Sequence, residues 1–172
     1  MKKLLILLVV FVFTCINLYS ENLDVRVIIK SMNVISPDGE TKTYVEPRSV
    51  PPIDYASTII ANGMSILNYH SVGIVLKNQQ GIFISKDPIT NILMFSKVEN
   101  TRSGPIIVSF NATTIAQIDA DTIFSLHYEP KDNSVTLAII DGHATLKKNE
   151  KEIELTTDKK YKHKFIGGSY AI

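Results

Sequence analysis

Apolar and polar residues alternate in short runs along most of the chain, and turn-forming residues separate the runs. Val25, Val27 and Ile29 occupy every second position of one such run. This period of two predicts a β-strand with those three side chains on one face. The Ser-Pro-Asp-Gly sequence at 36–39 predicts a turn, because proline presets φ and glycine accepts positive φ. The β-branched and aromatic stretch at 41–45 then predicts a returning strand.

The same pattern continues towards the C-terminus. Further strands are predicted at 72–76, 82–85, 92–95, 106–110, 113–118, 122–128, 135–140, 144–147 and 152–155. Strands at intervals of about 8–12 residues, with Gly, Asn and Asp between them, are typical of a sandwich, barrel or solenoid. No run of ten or more residues holds a helical period, which argues against a parallel α/β architecture. We therefore predict an all-β domain of twisted antiparallel sheets, either a sandwich or a short solenoid-like domain.

Two segments depart from this pattern. The stretch 47–52 contains three prolines, which donate no backbone N–H to a sheet, so we predict a loop there. Residues 53–61 fit a short helix with a stop at Gly63, whereas residues 59–67 fit two strand pieces bent at Asn62-Gly63. We predict the strand arrangement, with the helix as the alternative.

The first twenty residues differ from the rest. Lys2 and Lys3 precede an unbroken apolar run at 4–13, and Ser20 gives a small residue before a polar start. This layout predicts a secretory signal peptide at 1–20 that forms an N-terminal signal helix. An uncleaved anchor is the alternative, but a spanning helix needs about 20 consecutive apolar residues. We expect export to the periplasm or cell surface, with an N-terminal strand pair and proline-rich loop at 21–58 and the main β domain at 59–166.

Charge and cysteine content narrow the possible partners. Cleavage after Ser20 removes two of the 18 Lys and Arg residues, leaving 16 against 17 Asp and Glu and a net charge near −1. We therefore expect no nucleic-acid partner. The single cysteine, Cys15, ends a Val-Phe-Thr-Cys sequence that loosely resembles a bacterial lipobox. A structural envelope lipoprotein anchored through Cys15 is thus an alternative function, and we expect membrane contact only through that lipid.

Four segments, taken in order, resemble the FecR-type periplasmic domain. They are 59–66 (Ile-Ile-Ala-Asn-Gly-Met-Ser-Ile), the strand–glycine–strand hairpin at 72–84, the segment at 115–126 and the hairpin at 135–146. One departure is Asp121, which stands where the family usually has glycine. The resemblance implies an all-β binding or assembly domain outside the cytoplasmic membrane, with no catalytic residues. Family members in signalling systems carry a cytoplasmic anti-sigma segment. Because the predicted signal begins at Met1, we expect the exported domain alone.

Candidate chemistry is sparse. The four histidines lack the spacing of a zinc site, so we predict no metal site. They are His70, His127, His143 and His163. His127 and His143 are the pair that a hairpin would bring closest together. Asp119 and Asp121 offer alternate carboxylates for calcium, and Asp-Thr is the start of an aspartic-protease turn, but Ile123 replaces the glycine needed there. We interpret 119–122 as a strand end that meets a turn.

A basic run, Lys-Lys-Tyr-Lys-His-Lys at 159–164, is the strongest charge feature. It suits either contact with an anionic polymer or lipid, or a strand edge kept positive against aggregation, and we favour the edge. No nucleophile elbow and no glycine-rich phosphate loop occurs. We therefore predict a non-catalytic exported module without a cofactor. Its expected partner is an unidentified envelope protein or glycan, and the absence of Trp favours the protein over the glycan.

Overall fold

The computed structural model describes residues 23–98 and 104–165, so the predicted signal helix and Cys15 lie outside the described residues. Sixteen strands and no helix occur in these two ranges, and accordingly they contain no helix long and apolar enough to cross a membrane. The strands are β1 (Leu23–Ile29), β2 (Ser31–Ile35), β3 (Thr41–Val45), β4 (Arg48–Val50), β5 (Ser57–Ala61), β6 (Met64–Tyr69), β7 (Val72–Lys77), β8 (Gly81–Lys86), β9 (Leu93–Lys97), β10 (Ile106–Asn111), β11 (Thr114–Ile118), β12 (Ile123–Glu129), β13 (Ser134–Asp141), β14 (Ala144–Lys148), β15 (Lys151–Leu155) and β16 (Lys160–Lys164).

The strands form two antiparallel sheets of eight strands each, packed as a sandwich, which confirms the predicted all-β fold. The first sheet has the order β15-β14-β11-β10-β7-β6-β1-β4, and the second β16-β13-β12-β9-β8-β5-β2-β3. From β6 onward the chain makes a hairpin in one sheet, crosses to the other sheet and makes the next hairpin there. Because each crossing adds strands beside the preceding ones, the sandwich grows in one direction from its N-terminal end to its C-terminal end.

The alternation read from the sequence sets the core. Along β7 and β10 every second residue is buried, and the neighbours between them face outward. Phe95 and Phe124 stack in the interior with ring centroids 5.2 Å apart. Tyr69 is fully buried, and its hydroxyl oxygen accepts a hydrogen bond from the backbone N–H of Tyr128 at 3.2 Å. Each fully buried large apolar side chain contributes roughly 1.5–3 kcal/mol through removal of its surface from water.

The strand arrangement predicted around Asn62-Gly63 is confirmed. β5 ends at Ala61 and β6 begins at Met64, so the helix alternative for this segment is wrong. A Cβ atom at Gly63 would overlap the carbonyl oxygen of Ile29. The bend therefore needs glycine because β1 passes directly beside it.

Two predictions for the N-terminal part, one of a strand face and one of a loop, are wrong in detail. Ile29 does not share the buried face of Val25 and Val27, because a bulge between Val27 and Ile29 turns it outward, 47% exposed. The proline-rich stretch is not wholly a loop, since Arg48–Val50 forms β4 at the edge of the first sheet, where fewer backbone donors are needed. The first four strands lie in the same two sheets as the rest, and residues 58 and 59 both lie within β5.

Candidate functional site at the C-terminal strand edges

The sandwich is open at both ends, where each sheet ends in an edge strand. β3 and β4 are the edges at the N-terminal end, and β15 and β16 are the edges at the C-terminal end. β4 has only three residues and is followed directly by two prolines, both of which protect an edge from pairing. β15 and β16 have five residues each. We call β15 and β16 together the C-terminal edges.

Local turns set the positions of these two strands. β14 and β15 are joined by Asn149 and Glu150, whose φ angles of 47° and 68° are those of a two-residue hairpin turn. After β15 the backbone N–H of Lys159 donates to the carbonyl oxygen of Thr156 at 2.9 Å, which closes a β-turn. This turn reverses the chain and carries it from the first sheet into the second. β15 and β16 therefore run in opposite directions in different sheets.

The outward face of β16 is uniformly basic. Lys160, Lys162 and Lys164 are exposed and occupy every second position. Lys162 Nζ lies 2.6 Å from the Oδ2 atom of Asp132. Hydrogen bonds from Lys162 and then Ser134 lower the pKa of the Asp132 carboxyl. Lys160 and Lys164 form no ion pair with any described residue. The face therefore carries more positive charge than its own neighbours neutralise.

The inward face of β16 is aromatic. The Tyr161 hydroxyl lies 3.0 Å from His163 Nδ1, and the ring of Phe110 meets the Tyr161 ring edge-on with centroids 5.2 Å apart. Lys148 Nζ lies 5.9 Å from the centroid of the Tyr161 ring. Burial, with Lys148 as a lesser cause, lowers the pKa of His163, while burial raises the pKa of Tyr161. Both side chains are thus held in their neutral forms near pH 7.

β15 has the complementary pattern. Glu152 and Glu154 point outward, and Glu152 Oε1 lies 2.8 Å from Lys147 Nζ on β14. Ile153 and Leu155 point toward the second sheet, beside the buried residues of β14. Leu155 is buried, but Ile153 is 44% exposed because no further strand covers the end of the sandwich. The strand is therefore acidic on its outer face, and its inner face carries Ile153 and Leu155 with Lys151 beside the turn.

The free backbone groups of both strands belong to their charged residues. The N–H of Phe165 donates to the Asn133 carbonyl oxygen at 2.9 Å, so the odd-numbered residues of β16 direct their backbone groups toward β13. The two-residue hairpin makes Lys148 and Lys151 a hydrogen-bonded pair, so the odd-numbered residues of β15 likewise face β14. At both edges the even-numbered residues, Lys on β16 and Glu on β15, direct their N–H and C=O groups away from the sheet, and no described strand pairs with them. The Glu154 carbonyl oxygen accepts a long hydrogen bond, 3.5 Å, from Lys159 Nζ.

The structure does not bring the candidate histidines together, and residues 23–98 and 104–165 contain no cluster of metal-ligating side chains. His70 stacks on the ring of Tyr128 with centroids 3.7 Å apart. His127 lies opposite Thr136 in the second sheet, whereas the backbone N–H of His143 donates to Thr122 Oγ1 at 3.2 Å, where the chain crosses to the first sheet. His127 and His143, the pair that a hairpin would bring closest together, do not approach each other, because they lie near opposite ends of β12.

The acidic pair lies in a turn between β11 and β12, as interpreted from the sequence. Asp121 adopts a φ of 64°, the left-handed conformation that favours glycine, although an aspartate occupies it. The N–H of Asp119 donates to the His143 carbonyl oxygen at 3.1 Å, and Thr122 Oγ1 donates to the same carbonyl at 2.9 Å. This turn therefore fastens the two sheets together at the crossing.

A shallow groove of about 350 Å³ lies on the outer face of the second sheet, between Met94, Ile140 and Lys160. Its acidic lining residue, Asp87, accepts hydrogen bonds from the N–H and hydroxyl of Thr90 and from the N–H of Ile89. These bonds to Thr90 and Ile89 lower the pKa of Asp87. The carboxylate is therefore engaged in holding its own loop.

The basic run was found from the sequence, and β16 confirms its expected place at a sheet edge. Glu152 and Glu154 were missed as functional candidates. The available signal was their alternation with Ile153 and Leu155, which marks a strand with one acidic face. Nothing in that alternation reveals that the strand lies beside β16 at an open end.

No protein-family model matches the chain, and no curated protein or solved structure matches it either. The resemblance to the FecR-type domain therefore stays a prediction.

Proposed function

We propose that the protein is a non-catalytic binding or assembly module of the bacterial cell envelope, similar in role to an exported FecR-type domain, and that it engages a partner protein by strand addition at the C-terminal edges. The observation that carries this proposal is the row of backbone groups on β15 and β16 that no described strand pairs with, set beside a basic face on which only Lys162 has an ion-pair partner among the described residues. A strand added to an open sheet edge gains affinity from backbone hydrogen bonds and selectivity from alternate side chains.

The two faces of β16 supply that selectivity. Side chains of an added strand alternate between the outer face, beside Lys160, Lys162 and Lys164, and the inner face, beside Tyr161 and His163. A suitable partner strand is therefore acidic at every second position and apolar between them. The lysines at the same time discourage pairing with strands that lack this pattern, since unpaired charges at an edge oppose association.

Site-specific photo-crosslinking in producing cells tests the proposal. A benzophenone amino acid at position 164 on the β16 edge should give a discrete protein adduct, and the same residue at position 109, on the outer face of the first sheet, should not. Lys162→Pro removes an outward N–H without disturbing the bonds to β13, and should abolish the adduct. An adduct that survives this substitution, or that forms equally at position 109, would contradict strand addition at this edge.

The alternative function is a structural lipoprotein anchored through Cys15, and the apolar run that precedes this cysteine supports it. Replacement of Cys15 by Ser should then release the protein from the membrane fraction. Unchanged fractionation of the variant would rule out the lipid anchor and leave the strand-addition proposal untouched.

A further inference from the structure

We infer that the partner at the C-terminal edges is a second copy of this chain, joined through a two-fold axis so that β15 of each copy pairs with β16 of the other. This inference rests on the proposed function, because it names the strand that the open edges accept.

Two end-to-end arrangements have two-fold symmetry. An axis perpendicular to the sheets places β15 against β15 and β16 against β16. An axis parallel to the strands inverts the second copy, so that its second sheet continues the first sheet of its partner. Because the turn at Thr156–Lys159 reverses the chain, the second arrangement brings β15 and β16 together as antiparallel neighbours.

Charge separates the two arrangements. In the first, Lys160, Lys162 and Lys164 meet their own copies, and like charges directly opposite each other destabilise a strand pair. In the second, the same lysines meet the outward Glu152 and Glu154 of the other copy. Each copy supplies one acidic and one basic strand, so the contact is self-complementary.

The free backbone groups enforce this match. At either edge the even-numbered residues direct their N–H and C=O groups away from the sheet, so only registers that oppose even-numbered residues form hydrogen-bonded pairs. With Glu152 opposite Lys162, Glu154 stands opposite Lys160. Glu150, in the turn before β15, stands opposite Lys164.

The inward side chains fit the same register. Ile153 then lies opposite Tyr161 of the other copy and joins the two cores, while Lys151 lies opposite His163 at the turn end of β15. Ile153 is 44% exposed in the single chain, and this contact would cover it. The outer ion pairs would continue the Lys147–Glu152 pair that already joins β14 and β15.

The N-terminal end offers no equivalent contact. The N–H of Glu46 donates to the Lys30 carbonyl oxygen, so the outward backbone groups of β3 belong to Thr41, Thr43 and Val45, which carry no charge. Its companion edge, β4, is short and is followed by two prolines. Among the described strands, the self-complementary charge pattern therefore exists only at the C-terminal edges.

Sedimentation of the purified protein over the micromolar concentration range tests the inference. The wild type should dimerise. Lys162→Glu and Glu152→Lys should each weaken the dimer about 100-fold, from about tenfold at each of two symmetry-related contacts. Lys42→Glu, a reversal on the edge strand at the other end, should leave the dimer unchanged.

Mixing the two monomeric variants gives the decisive measurement. In a heterodimer of Lys162→Glu with Glu152→Lys, the two substituted side chains stand opposite each other at one contact with their charges exchanged. The other contact retains the native pair, so dimers should reappear in the mixture. Recovery on mixing also shows that both variants are folded. A monomeric wild type, or variants that dimerise alone or fail to recover on mixing, would overturn the second copy as partner.

The same results separate this inference from the proposed function. If the wild type is monomeric but position 164 still gives an adduct with a different protein, the dimer is ruled out and strand addition still stands. Failure of both the adduct and the dimer removes both proposals.

Discussion

Gly142 marks the crossing from β13 to β14, the step that delivers the chain to the C-terminal edges, and its replacement by alanine gives the sharpest test of the packing. Its φ is +88°, a region that costs an L-residue roughly 1–2 kcal/mol. A Cβ at this position would lie 2.5 Å from Thr122 Oγ1 and 2.9 Å from Thr122 Cα. The second distance involves backbone, so the β11–β12 turn itself has to move.

The expected cost follows from these contacts. Thr122 Oγ1 both donates to the His143 carbonyl oxygen and accepts from the His143 N–H, and displacement of the turn weakens bonds worth about 1 kcal/mol each. Added to the φ strain and to overpacking of about 1–3 kcal/mol, Gly142→Ala should lower the free energy of unfolding by about 3–5 kcal/mol.

Gly39→Ala is the matched control. Gly39 has nearly the same φ, +86°, but no atom lies within 4 Å of the position its Cβ would take. Its cost is φ strain alone, partly offset by the smaller entropy of the unfolded chain, for a net loss of about 1 kcal/mol or less. Urea titrations followed by circular dichroism measure both values through the transition midpoints. Equal losses for the two variants would refute the claim that contact with Thr122, rather than φ, dominates at Gly142.

Three further outcomes are expected. Ser65 is fully buried, and its hydroxyl has no hydrogen-bond partner among the described residues. Ser65→Ala should therefore raise the free energy of unfolding by about 1 kcal/mol in urea titrations. A lower free energy of unfolding would show that the hydroxyl does form a hydrogen bond. Tyr69→Phe removes the acceptor of the Tyr128 N–H and should cost about 1–2 kcal/mol in the same assay, with no change expected if that N–H finds another partner. Burial lowers the pKa of His163 in the folded state, so the unfolded chain binds the extra proton first as the pH falls below about 6.5. The contribution of neutral His163 to the free energy of unfolding is therefore fully present above that pH and declines below it. His163→Gln should flatten this part of the stability–pH curve measured by thermal unfolding, and an unchanged slope would contradict it.

Most of the fold could be predicted from the sequence because the local alternation of apolar and polar residues determines each strand and its buried face. Hairpins such as β12–β13 carry their own turn at 130–133, and their apolar positions recur at every second residue, so strand and face follow together. Prediction failed where a neighbour distant in sequence decides the outcome. Ile29 turns outward at a bulge in the pairing of β1 with β6, and the sequence of residues 25–30 does not indicate that pairing.

The candidate site was likewise predictable from the sequence only in part. The basic run was visible because alternate lysines on a strand form one charged face wherever that strand lies. Its meaning depends on β15, which the turn at Thr156–Lys159 places in the other sheet at the same end of the sandwich. Order of strands within a sheet is set by long-range pairing, which alternation alone does not encode.

Charge at a strand edge is usually explained as protection against aggregation, and in this protein protection and recognition follow from the same residues. Lysines on β16 repel a second β16, and glutamates on β15 repel a second β15, so the pairings that identical edges would otherwise form are disfavoured. The pairing of β15 with β16 escapes this repulsion, and around a two-fold axis it uses both C-terminal edges of both copies at once. A closed contact of this kind leaves no complementary edge among the described strands for a third copy, since the remaining ends carry the short β4 and the uncharged outward residues of β3. The charge pattern therefore permits assembly and also limits it to two copies.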